Sequence, residues 1–155
     1  MNTSIDVDIQ WALTDIEQPL TDVLILQTVE QILTEHNAGQ GELTVRFVDI
    51  EESQSLNNAY RGKDKPTNVL SFPSDLPDFI ESPLLGDLVI CHAVVSQEAL
   101  AQNKAINAHY QHLIIHGVLH LLGFDHIEAA DADVMEAHEI SLLDKLGIDD
   151  PYQVD

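Results

Sequence analysis

The chain has 155 residues, 45% of them hydrophobic, with 27 acidic against 6 basic side chains and a formal net charge of −21. That length suits one domain (1–155) around one core, and the charge excludes a surface that attracts nucleic acid over its whole extent. A single cysteine, Cys91, excludes an intrachain disulfide and fits a reducing, cytoplasmic compartment.

No stretch approaches roughly 18 consecutive apolar residues, so no membrane span is expected. The first eight residues carry neither the basic nor the apolar run of a signal peptide. Ile5, Val7, Ile9 and Trp11 alternate with Asp6, Asp8 and Gln10, which predicts a half-buried strand. Pro19 stands near a helix start, Ile25, Val29, Ile32 and Leu33 follow helical spacing, and Asn37 and Gly39 mark the end. Leu43, Val45 and Phe47 predict a second strand. A short helix is expected from Ser53 to near Gly62, then a turn over 63–68. A third strand, Val69–Phe72, closes at Pro73, and an irregular loop runs from Ser74 to Pro83. Leu85–Cys91 reads as a fourth strand, with Cys91 a buried, inert thiol. Three helices follow, at Ala93–Ala105, Ala108–Leu122 and 131–146. Val134, Ala137, His138 and Leu142 are the expected inner face of the last, and Met135 is read as core packing. A loose tail closes the chain. The order β-α-β-α-β-β-α-α-α predicts an α+β fold, a small mixed four-stranded sheet with about five helices over it.

The helix at 108–122 carries the chemistry. His116, His120 and His126 are spaced H-x3-H-x5-H, with Gly123 between the last two. His116 and His120 are i and i+4 and share a helix face, so their rings can converge on one ion. His112 shares that face, but about 12 Å of rise separates it from His120, too far for one ion to bridge. Gly123 can end the helix in the left-handed conformation and return His126 toward that face. Three protein ligands with an open position are the pattern of a catalytic zinc. With that set complete, His109, His112 and His138 are read as structural. Asp125 reads as a turn residue, with orientation of a histidine as the other role open to it.

The spacing is also that of the metzincin peptidases, H-E-x-x-H-x-x-G-x-x-H. Here Gly117 holds the position of their glutamate base, so the metal geometry is shared and the peptidase base is missing.

Arg61, Lys63 and Lys65 put half of all the basic residues within five positions, in the stretch Tyr60-Arg61-Gly62-Lys63-Asp64-Lys65-Pro66-Thr67-Asn68. Two readings of it stand: a solvated loop between a helix and a strand, or an anion-binding wall facing the metal. In the second, Arg61 holds a phosphate bidentately, Lys63 and Lys65 add charge, and Thr67 and Asn68 donate hydrogen bonds.

His116-Gly-Val-Leu-His120-Leu-Leu-Gly123-Phe-Asp125-His126, together with Tyr60-Arg61, Pro66–Pro73 and the strand Leu85-Gly86-Asp87-Leu88-Val89-Ile90, closely resembles the YbeY family, bacterial endoribonucleases and rRNA maturation factors. The resemblance spans essentially the whole chain. It implies one zinc per chain on His116, His120 and His126 and cleavage of single-stranded RNA. It also implies processing of the small-subunit rRNA 3′ end, a part in ribosome quality control with ribosomal partners, and no DNA substrate. By motif position, Arg61 matches the family's functional arginine. Zinc can activate water or polarise a phosphoryl oxygen, with Arg61 stabilising the phosphate. Two rivals remain in view, a zinc-stabilised module that docks on the ribosome without catalysis and a metallopeptidase lacking its usual base.

Overall fold

The computed structural model describes residues 4–13, 20–36, 40–74, 84–124 and 129–148. In chain order the elements are β1 (Ser4–Trp11), α1 (Asp22–His36), β2 (Gln40–Val48), α2 (Ile50–Arg61), β3 (Val69–Pro73), β4 (Leu84–Cys91), α3 (His92–Ala101), α4 (Ile106–Leu121) and α5 (Ala129–Lys145). This is the expected α+β order. Pro19, Asn37 and Gly39, the loop residues 75–83, Asp125, His126 and the tail from 149 lie outside the described residues.

The strands lie in the order β1-β2-β4-β3. β1, β2 and β4 run parallel, and β3 pairs antiparallel with β4. β3 is an edge strand, the position in which the missing N–H of its terminal Pro73 is tolerated. Alternation gives each strand two faces. Leu43, Val45, Phe47, Leu88 and Ile90 face the large core with α1 and α4, while Val48, Leu70, Val89 and Cys91 form a smaller cluster toward Leu56 of α2. Cys91 is 1% exposed, as expected for an inert thiol.

α4 is the buried axis of the molecule. Ile114, Ile115, Val118 and Leu119 are wholly inaccessible, each worth roughly 1.5–3 kcal/mol of burial. Gly123 ends the helix as its spacing predicts. Its φ is +100°, its N–H donates to His120 O and the Phe124 N–H to Leu119 O.

Several boundaries differ from expectation. α2 begins at Ile50 rather than Ser53, because Asp49 is its N-cap and accepts from the Glu52 N–H at 2.8 Å. α3 ends at Ala101 rather than Ala105, where Asn103 turns left-handed with φ 54°. The inner face of α5 is corrected. Met135, Glu139, Leu142 and Leu143 are buried, whereas Val134 is 52% exposed and Ala137 lies at the surface. The helix is turned about one residue from the stripe expected, with Leu142 common to both. The apolar pattern misled because the true face contains a carboxylate.

Candidate active site

A cleft of about 1680 Å3 runs from the open face of the sheet around edge strand β3 to the histidine face of α4. α4 packs directly against β3, and the Ser71 hydroxyl donates to Gly117 O at 3.3 Å. His116 and His120 line one side of the cleft. Arg61, in the last turn of α2, lines another.

The two histidines converge as their i, i+4 spacing predicts. Their Nε2 atoms lie 3.1 Å apart. Such an approach places two donors where a single cation fits between them and its other ligands. Among the described residues no group of three or more ligating side chains forms. His126, the expected third ligand, lies outside them. A paired imidazole set, half-open to a cleft, suits a divalent metal of borderline softness.

Glu139 approaches the same pair from α5. It is 0% exposed. Its Oε1 lies 2.9 Å from His112 Nε2 and 3.0 Å from His116 Nδ1. Burial would push its carboxyl up, but the hydrogen bonds from His112 and His116 reverse that and hold it at about 2. His112 is thus tied to α5 through Glu139. His109 is also buried, with Nε2 3.1 Å from Glu98 Oε1. Desolvation lowers its pKa despite that carboxylate.

The basic residues concentrate on the cleft. Arg46, Arg61 and Lys104 line it. Lys63 and Lys65 are exposed on the turn that follows Arg61, just off the lining. The sixth, Lys145, pairs with Glu35 of α1, and neither lines the cleft. Arg46 is committed to Glu52, through Nε at 2.6 Å and Nη2 at 3.0 Å, while Arg61 is exposed. Thr67 and Asn68 also line the cleft. The Thr67 backbone is pinned by buried Ser53, whose hydroxyl bridges its N–H and carbonyl at 3.0 Å each. The Asn68 amide donates to Glu98 at 3.0 Å. The carboxylates of Glu52 and Glu98 on this wall are thus engaged, and Asp87 also borders it.

A family model described as "Endoribonuclease YbeY" matches residues 6–147. The chain belongs to the YbeY endoribonuclease family. The family is one of RNA-cleaving hydrolases that act in rRNA processing. The fold also matches the solution structure of TM1509 from Thermotoga maritima, with a TM-score of 0.59 at 22% identity over 96% of this chain and 99% of that one.

Within this YbeY-family fold, Gly117 has a clear packing role. A Cβ there would stand 2.6 Å from Leu88 Cδ2. The position where a metzincin carries its base thus faces the sheet. Sequence reasoning missed Glu139, Glu98 and the cleft positions of Arg46 and Lys104. For Glu139 a signal existed. It falls at i+4 from Met135 and i−3 and i−4 from Leu142 and Leu143, on one of the two apolar stripes the helix offers.

Proposed function

We propose that this chain is a metal-dependent endoribonuclease cutting single-stranded RNA, with one zinc ion on His116, His120 and His126. Its place is the maturation of the small-subunit rRNA 3′ end and the quality control of ribosomes, in the cytoplasm. The observation that carries this reading is the opening of the converging His116–His120 pair and of the exposed Arg61 onto one cleft. When bound, such a metal supplies Lewis acidity and a lowered pKa for water at the scissile phosphate.

The protein's own groups do the rest. The Arg61 guanidinium binds the phosphate and stabilises charge gathering on its oxygens. Lys63 and Lys65 draw the strand toward that end of the cleft, and Thr67 lies where it can contact the backbone. Asn68, held by Glu98, acts mainly by fixing the loop that carries these groups. Arg61 and Lys104 on the cleft, with Lys63 and Lys65 on the turn after Arg61, give a polyanionic substrate local positive charge on a body of net charge −21. Among the described residues no helix is long and apolar enough to cross a membrane. The packing of Gly117 against Leu88 weighs against the peptidase reading.

The test is cleavage of a labelled single-stranded RNA and of the same sequence as a duplex, with zinc content measured on the same preparation. The reading expects about one zinc per chain and cleavage of the single strand alone. A folded, zinc-loaded protein that leaves both RNAs intact at every salt concentration would replace it with the ribosome-docking module.

A further inference from the structure

Glu139 is a carboxylate at the packed α4–α5 interface, where its neighbours on α5 are Met135, Leu142 and Leu143. Removing a carboxylate from water costs several kcal/mol unless partners replace the lost hydration. The partners here are imidazoles, and one of them belongs to the converging pair. His116 Nδ1 faces Glu139 Oε1 at 3.0 Å, while His116 Nε2 faces His120 Nε2 at 3.1 Å. The two ring nitrogens therefore have different work. A carboxylate can only accept, so Nδ1 carries a proton, and in the neutral ring this makes Nε2, on the His120 side, the nitrogen with the lone pair.

We propose that Glu139 is the positioning residue of the metal site, fixing the tautomer and ring plane of His116 so that Nε2 is presented as a ligand. This rests on the metal reading above. A carboxylate behind a ligating imidazole also raises its basicity and offsets part of the cation's charge. Because Glu139 comes from α5, metal affinity and the docking of α5 on α4 are coupled: whatever tightens one tightens the other. A purely structural Glu139, bonded to His112 to hold the helices together, would show neither effect.

Two measurements separate these roles. The first is zinc affinity, by competition with a chromophoric chelator, on wild type, Glu139→Gln and His112→Gln, with circular dichroism on each. Glu139→Gln keeps the shape and loses the acceptor charge, and is expected to weaken zinc binding about 10–100-fold. His112→Gln leaves the His116–Glu139 contact in place but loosens α5 on α4, and is expected to lower the unfolding midpoint while weakening zinc binding less than Glu139→Gln does. Equal affinities in wild type and folded Glu139→Gln overturn the proposal. The second measurement needs no variant: long-range 1H–15N NMR of the metal-free wild type. It is expected to show His116 protonated on Nδ1, and an Nε2-protonated ring overturns the proposal. If wild type binds zinc normally and only these results fail, the metal reading survives without Glu139. If wild type binds no zinc, both fall.

Discussion

Gly117 lies so close to Leu88 that a Cβ on it would stand 2.6 Å from Leu88 Cδ2 and 3.2 Å from Cδ1. This contact lets α4 seat its histidine face beside β3. Leu88 is wholly buried, so making room for that Cβ requires its neighbours to repack. Gly117→Ala gains up to about 1 kcal/mol of helix propensity and loses roughly 1–3 kcal/mol to overpacking, so a net loss in denaturant midpoint is expected. Leu88→Ala in the same chain makes room, and the pair should be less destabilising than the sum of the singles. Additive losses would show that the contact is not tight. Gly117→Glu places a carboxylate against the sheet; it is expected to destabilise more than Gly117→Ala and to confer no peptidase activity.

Arg61 is exposed in the last turn of α2, so Arg61→Ala should leave the unfolding midpoint nearly unchanged. RNA cleavage is expected to fall by roughly 10²–10³ in kcat, the scale for losing one charge-stabilising donor. The slope of log K against log salt for single-stranded RNA should shrink by about 0.7, one phosphate contact. Arg46→Ala is a useful contrast. Its guanidinium is held by Glu52 and Gln10, so stability is expected to fall while the RNA salt slope holds.

His120 sits at the C-terminal end of α4 and is only partly buried, outside the apolar core. His120→Ala is therefore expected to keep helical circular dichroism while losing bound zinc and RNA cleavage together. Chelation of the wild type should do the same reversibly. Unfolding of either preparation would point to a metal that holds the fold instead.

His36, His92 and His109 all have lowered pKa values, chiefly through burial, with His138 adding to the effect at His36. Each binds a proton more readily in the unfolded chain. Their contribution is fully present above the ordinary imidazole value of 6.5 and is lost as pH falls through the lowered folded values. Relief of acidic self-repulsion works in the opposite sense on acidification. The readout is thus the difference between wild type and His109→Gln in thermal midpoint, scanned from about pH 8 to about pH 5. The variant is expected to lose less stability on acidification, and parallel curves would exclude His109 as a contributor.

The element order was legible because alternation and helical spacing are local. The His116–His120 pair was legible for the same reason: four residues on a helix return to the same face whatever surrounds them. So was the stop at Gly123, which needs only a residue free to take positive φ. The start of α2 was missed because the cap that decides it, the Asp49 side chain on the Glu52 N–H, lies about one turn before Ser53. The phase of α5 was misread for a deeper reason. Val134 and Met135 offer two apolar stripes that share Leu142, and the one that packs inward contains Glu139.

By itself the sequence determined the strands, the helices, the helical pair of imidazoles and the cationic stretch at 61–65, because each follows from spacing within a few residues. Tertiary structure alone decided that β4 inserts between β2 and β3, and that Arg61 and the histidines share a cleft around an edge strand. It alone also brought Glu139 onto His116 across 23 residues. No local rule fixes such a contact. It depends on how α5 turns against α4, and that rotation is set by burying Met135, Leu142 and Leu143 while giving the carboxylate between them its imidazole partners.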